Sequence, residues 1–173
     1  MSAPQKDGAG YMFGGPLAVI TDRSFFRSWM RDEAYVERLG YSPDPAVATN
    51  KMVAINFQRD LAFMIERGNV AEEIDALLAR YMSDDYRQHD AHLTDGREPL
   101  SAFFKMAFKA GVDLWPPMPV CVMVEDDMVS LLLQADTPDG SEKFIPTLFR
   151  VRDGKMVEHW SAVGPPPMPP SPA

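Results

Sequence analysis

Acid–base chemistry is what the reactive residues of this chain offer. His89 is followed directly by Asp90, Tyr86 lies three residues before the histidine, and His159 lies seventy residues further on. An imidazole titrates near pH 6.5, which suits proton transfer, and a neighbouring carboxylate or phenol can orient or share the proton. The pattern predicts His89, Asp90, His159 and Tyr86 as catalytic candidates. The alternative is that these histidines are structural and bonded to backbone groups, in which case the protein only binds a ligand.

Other chemistries find less support in the sequence. His89, Asp90 and His92 are close together near a turn, but their spacing is not that of a metal-binding motif. Gly14 and Gly15 do not belong to a phosphate-binding strand–turn–helix unit, and no serine lies in a nucleophile-elbow motif. Cys121 lies in an apolar run and is expected to be a buried thiol. We therefore expect neither a metal nor an organic cofactor.

Composition indicates a folded domain and argues against two classes of partner. The chain has 173 residues, 46% of them hydrophobic and 10% aromatic, with a net charge of -8. An acidic chain is a poor partner for nucleic acid or an anionic membrane surface, since both attract Lys and Arg. No apolar run is long enough to span a bilayer, and the first residues do not have the pattern of a signal peptide. A single cysteine excludes an internal disulfide. We expect a cytoplasmic protein.

The elements that would position these residues begin with helices. Apolar spacing and capping residues predict a helix from Asp22 to Leu39, a second from Asn50 to Arg67, a third starting at Asn69 and a fourth from Pro99 to Gly111. Residues 1–20 are predicted to form a loose arm.

Strands follow the helices. A short strand is predicted over Tyr86–Asp90, and four more form a meander over Val120–Glu125, Met128–Asp136, Glu142–Arg152 and Met156–Val163. The tail from Gly164 is rich in proline and cannot pair in a sheet. Helices followed by an antiparallel meander indicate an α+β fold, and a sheet curled over helices leaves room for a pocket.

Two segments carry a resemblance to a known family. Residues 81–98 contain a histidine that closes the first strand and a Gly-Arg-Glu that opens the next helix, and residues 149–160 form a closing hairpin that ends in His-Trp. Both segments resemble the SnoaL-like family of the nuclear-transport-factor-2-like superfamily. The resemblance covers residues 50–163, which we take as the domain. Residues 1–49 are expected to form an additional helical segment that acts as a lid or a dimer contact, and residues 164–173 a tail.

The resemblance implies a cone-shaped curved antiparallel sheet packed on three helices, usually in a homodimer, with a deep pocket. Asp90 matches the catalytic base of the ketosteroid isomerases, whereas Leu61 and Thr147 replace their two hydrogen-bond donors. Ser161 replaces the aspartate that the cyclases carry after the closing tryptophan. Leu61, Thr147 and Ser161 are therefore expected to line the substrate site, together with the aromatic residues Phe104 and Trp115.

Because residues of the isomerases and the cyclases are missing, the resemblance favours a cofactor-independent lyase. Members of that kind act on lignin-derived diaryl compounds and release formaldehyde, so an aromatic, hydrophobic substrate is expected. An isomerase, cyclase or dehydratase acting on a polycyclic or polyketide-like molecule is the second possibility. A non-catalytic module that binds a small ligand is the third, since fold alone does not fix function.

Overall fold

A computed structural model describes residues 10–90 and 93–161. Four α-helices and seven strands make up this part of the chain, with two short 3-10 helices near its start. The helices are α1 (Glu33–Gly40), α2 (Pro45–Arg67), α3 (Val70–Tyr81) and α4 (Arg97–Lys109), and the 3-10 helices are Arg23–Arg27 and Trp29–Arg31. The strands are β1 (Tyr11–Gly14), β2 (Leu17–Ile20), β3 (Met82–Gln88), β4 (Met118–Glu125), β5 (Met128–Asp136), β6 (Glu142–Arg152) and β7 (Lys155–Ser161).

The main sheet has five strands in the order β3-β7-β6-β5-β4. Strands β4 to β7 form the predicted antiparallel meander. The expectation of a wholly antiparallel sheet is wrong at one edge, where β3 pairs with β7 in parallel. Helix α4 and three strands separate β3 from β7, so no tight turn forces these two strands to run in opposite directions.

The α+β prediction, with three core helices packed on a curved sheet, is confirmed. Register irregularities interrupt the β3–β7, β4–β5 and β6–β7 pairings, and such irregularities bend a sheet. Helices α2, α3 and α4 cover the sheet, and the core lies between the two layers. Its largest fully buried side chains include Tyr86, Ile55, Met64, Ile74, Leu78, Met82, Met118, Leu131 and Met156. Cys121 is buried, as predicted.

The start of the chain is more ordered than predicted. Residues 11–20 form an antiparallel hairpin of β1 and β2 instead of a loose arm. The predicted helix Asp22–Leu39 is interrupted, because Asp32 accepts a hydrogen bond from the backbone N–H of Tyr35 and caps a new helix there. A capping aspartate offers the backbone N–H groups a partner that a continuous helix would not need.

Helix α2 begins five residues earlier than predicted. Pro45 occupies its first turn and the side chain of Asp44 accepts from the N–H of Ala46. Proline is favoured at this position. The helix ends at Arg67, as predicted, and Gly68 follows it with a left-handed φ of 72°.

The boundaries of the other elements differ slightly from prediction. The first strand of the main sheet covers Met82–Gln88 instead of Tyr86–Asp90, so His89 and Asp90 follow it. The predicted last strand is described as far as Ser161. The proline-rich tail lies outside the described residues. Within the described part of the chain, no helix combines the length and apolar character needed to cross a membrane.

Candidate active site

A cavity of about 320 Å³ lies between the concave face of the sheet and helices α2 and α4. Segment 113–117, which connects α4 to β4, forms another part of its wall. The lining residues are Phe57, Gln58, Leu61, Met82, Tyr86, Gln88, Leu100, Phe103, Phe104, Asp113, Leu114, Trp115, Pro116, Pro117, Leu133, Ile145, Thr147, Phe149, His159 and Ser161. Most of these side chains are apolar, so the cavity suits a small hydrophobic molecule that is held by a few polar groups.

His159 and Gln88 form a polar pair in the wall of the cavity. Their strands place them opposite each other in the β3–β7 pairing. Nδ1 of His159 lies 2.9 Å from Oε1 of Gln88, and the imidazole stacks on the ring of Phe149 at 4.6 Å. An amide oxygen can only accept, so Nδ1 carries the proton and donates it to Gln88. The tautomer fixed in this way leaves Nε2 with a free lone pair, which makes it a proton acceptor.

His159 is uncharged at neutral pH. Loss of solvent around the ring lowers the pKa of His159 to about 4. The negative charge of Asp90 acts in the opposite direction, and the neighbouring His89 adds to the lowering of this pKa. The imidazole therefore remains available as a base far below pH 7.

Tyr86 contributes a phenol that is ready to donate. Its side chain is 1% exposed and lines the cavity. Burial raises the pKa of Tyr86, so the hydroxyl keeps its proton. Among residues 10–90 and 93–161 the hydroxyl has no hydrogen-bond partner. Since a buried hydroxyl without a partner costs free energy, a ligand oxygen would gain from accepting this hydrogen bond.

Three polar residues that line the cavity were not predicted from the sequence: Gln58, Gln88 and Asp113. Gln58 lies on the face of α2 that also buries Ile55, Leu61 and Ala62. A glutamine within an apolar helical stripe is a visible signal, because such a residue is seldom buried without a reason. Gln88 directly precedes the predicted His89. Strand β3 ends at Gln88 and not at the predicted Asp90, and it is the side chain of Gln88, not that of His89, that lines the cavity.

Seven of the nine residues predicted for the site line this cavity: Tyr86, His159, Leu61, Phe104, Trp115, Thr147 and Ser161. His89 and Asp90 are not among the lining residues. The charge of Asp90 nevertheless influences His159, as described above.

His89 lies on the opposite side of the β7 backbone. Its ring stacks on Trp160 at 4.5 Å with an angle of 3° between the planes, and its Nε2 lies 3.2 Å from a carboxylate oxygen of Glu158. The N–H of His89 donates to the carbonyl of His159. This histidine therefore continues the β3–β7 pairing and is partly exposed to solvent.

The first 3-10 helix supports the wall formed by segment 113–117. Nε1 of Trp115 donates to the carbonyl of Phe26 at 3.0 Å, and the guanidinium of Arg27 lies 4.7 Å from the centre of the Trp115 ring. Arg27 also forms an ion pair with Asp113 at 3.3 Å. The N-terminal segment therefore packs against segment 113–117, which forms part of the cavity wall.

The described residues contain no group of three or more potential ligands that could hold a metal ion. His92, the third member of the sequence cluster around His89, lies outside the described residues.

The pKa of His159 predicts a pH dependence of stability. In the unfolded chain this histidine titrates near 6.5, and in the folded protein near 4. Between these values the unfolded state binds more protons, so stability is lost as the pH falls from about 6.5 through 4. The loss is at most about 3.5 kcal/mol, since one pKa unit corresponds to about 1.4 kcal/mol.

Urea unfolding between pH 4 and 7 measures this loss. His159→Phe is expected to flatten the dependence, whereas His89→Phe, which alters an exposed ring outside the cavity, should leave it in place. Equal slopes in the wild type and His159→Phe would contradict the burial of an uncharged imidazole.

No protein-family model matches the chain, and no curated protein matches it. Several solved structures align with part of the chain. A Jannaschia sp. CCS1 protein described as a candidate SnoaL-like polyketide cyclase is 17% identical, with a TM-score of 0.42 over 70% of this chain and 91% of that one. TsrD from Streptomyces laurentii is 16% identical, with a TM-score of 0.42 over 69% and 90%. A de novo designed NTF2 fold protein is 15% identical, with a TM-score of 0.41 over 59% and 82%.

These likenesses do not bear on activity.

Proposed function

We propose that the protein is a cofactor-independent acid–base enzyme that transfers a proton on a small, hydrophobic, aromatic molecule carrying an oxygen. The observation that carries the proposal is the pairing, in one apolar cavity, of an uncharged imidazole with a phenol that has no partner in the described part of the chain. Both groups would be costly in such a cavity if they had no role.

In the proposed mechanism Nε2 of His159 removes a proton from the carbon α to a carbonyl group of the substrate. The electron pair of the broken C–H bond forms a C=C bond to the carbonyl carbon, and the C=O π pair moves onto the oxygen, which becomes an enolate oxygen and accepts a hydrogen bond from Tyr86. Preorganised donors in a site with little water are the strongest way to stabilise such charge. The imidazolium that forms is held by its Nδ1–H bond to Gln88 and by the charge of Asp90.

We assign the base to His159 in place of His89 or Asp90, because His159 lines the cavity. Leu61, Thr147, Ser161, Phe104 and Trp115 are proposed as substrate-binding residues. The enolate-forming step is common to lyases, isomerases and cyclases. Our finer proposal remains a lyase that cleaves a lignin-derived diaryl compound, for which release of formaldehyde is the assay.

The probe for the common step is 1-tetralone, an apolar aromatic ketone with exchangeable α-protons. In deuterated buffer the protein is expected to accelerate α-proton exchange, measured by NMR, with saturation as the ketone concentration rises. Leu61→Trp, which fills the cavity, should abolish the acceleration. If 1-tetralone bound in the cavity and exchange were no faster than in buffer, the non-catalytic binding module would replace the enzyme.

We also propose that residues 1–49 form a lid or a dimer contact and that residues 50–163 carry the site. The contacts of Phe26 and Arg27 with Trp115 support this role.

A homodimer is proposed through the outer face of the sheet. Phe144 and Leu148 on β6 are 44% and 37% exposed, and Leu148 pairs with Trp160 on β7. Apolar side chains side by side on one sheet face favour a protein partner. We expect a dimer in sedimentation equilibrium that Leu148→Asp converts to a monomer. Met106→Asp, a change at an exposed site on α4, should leave the dimer intact, and a monomeric wild type would contradict the proposal.

A further inference from the structure

We propose that Gln58 determines substrate specificity by accepting a hydrogen bond from a hydroxyl group of the ligand, so that the substrates are hydroxylated aromatic molecules. The inference rests on the proposed function, since it concerns the same cavity. Gln58 is 6% exposed and lines the cavity beside Phe57 and Leu61. Its Oε1 atom is buried and has no hydrogen-bond partner among the described residues.

The chemistry of the amide oxygen defines the ligand group. Such an oxygen has two lone pairs and no proton, so its partner must donate. The other polar side chains that we place at the site are amides, hydroxyls and an uncharged imidazole, and the carboxylate of Asp113 is ion-paired with Arg27. A buried cation needs a compensating charge, and the one carboxylate among the lining residues is already ion-paired, so a ligand ammonium is disfavoured at Gln58. A neutral hydroxyl meets the requirement of Gln58.

The position of Gln58 in α2 argues for a ligand as its partner. The neighbouring buried positions of α2 are apolar, and one more apolar side chain at residue 58 would complete the stripe. Replacing a buried polar group that lacks a partner by an apolar group of similar shape is close to neutral or stabilising. If Gln58 serves a ligand, its replacement should therefore reduce recognition and preserve the fold.

The test compares two ligands of nearly equal shape, 2-naphthol and 2-methylnaphthalene, by isothermal titration with three proteins. These are the wild type, Gln58→Met and Gln134→Met. Gln134 is the matched control, because it is a buried glutamine, 8% exposed, that does not line the cavity. Gln58→Leu serves as a second variant, and thermal melts establish that each protein is folded.

We expect Gln58→Met to shift the ratio of the two affinities by at least about tenfold in favour of 2-methylnaphthalene, because the naphthol hydroxyl loses its acceptor. Gln134→Met should retain the wild-type ratio, and Gln58→Met should melt no lower than the wild type. An unchanged ratio in both Gln58 variants would overturn the inference while the proposed function stands. If neither ligand bound to the wild type, the apolar binding cavity and the proposed function would fall as well.

Discussion

Tyr86→Phe is expected to slow α-proton exchange of 1-tetralone at least about 100-fold without lowering the melting temperature. Loss of one hydrogen bond to a developing oxyanion typically costs about 10²–10³ in rate. The same hydroxyl has no partner among the described residues, so the folded protein loses no hydrogen bond there. A large fall in rate with unchanged stability is the signature of a group that acts on the substrate.

Tyr81→Phe is the matched control for this variant. The Tyr81 hydroxyl donates to Asp60 at 2.6 Å, and Tyr81 does not line the cavity. This change should reduce stability by about 1 kcal/mol and leave the exchange rate unaltered. Exchange by Tyr86→Phe at the wild-type rate would show that the phenol does not stabilise the substrate oxygen.

Trp29→Ala is expected to have the largest effect on stability, about 3–5 kcal/mol. Trp29 is 0% exposed and lies in the N-terminal segment, next to the buried Tyr35. Truncation of a buried tryptophan removes apolar burial and leaves a cavity that the surrounding structure fills only in part. Urea unfolding measures the loss.

Tyr41→Ala provides the comparison, because Tyr41 is 63% exposed and its removal should change stability by less than about 0.5 kcal/mol. If Trp29→Ala were as stable as Tyr41→Ala, the N-terminal segment would not be part of the core. The segment also contacts the wall at Trp115, so Trp29→Ala should in addition weaken the binding of 1-tetralone.

Much of the fold could be predicted because the local signals and the packing agree. The meander strands β4, β5 and β6 match their predicted bounds within about two residues, because Asp and Gly residues form the turns between the strands. The N-terminal region was harder, because Asp32 is compatible with both a helical surface and a cap. Whether Asp32 lies on a helix surface or caps a new helix depends on how the flanking aromatic residues, Trp29 and Tyr35, pack in the core.

The site was predicted in part for a similar reason. Alternation along β7 places His159 and Ser161 on one face of the strand. The family resemblance implied that this face lines the pocket, and both residues line the cavity. The register of the parallel β3–β7 pair, which brings Gln88 and not His89 to the cavity, depends on a pairing between strands far apart in sequence. Gln58 was not predicted, although its place within the apolar stripe of α2 is visible in the sequence.

The central claim is that His159 transfers a proton inside the cavity. The most direct test measures how fast the His159→Gln variant exchanges the α-protons of 1-tetralone at a saturating concentration of the ketone. Loss of a general base typically costs about 10²–10⁴ in rate. We predict such a loss for His159→Gln, with 1-tetralone still bound, and a wild-type rate for His89→Gln, whose ring stacks on Trp160 outside the cavity. Exchange by folded His159→Gln at the wild-type rate would contradict the account.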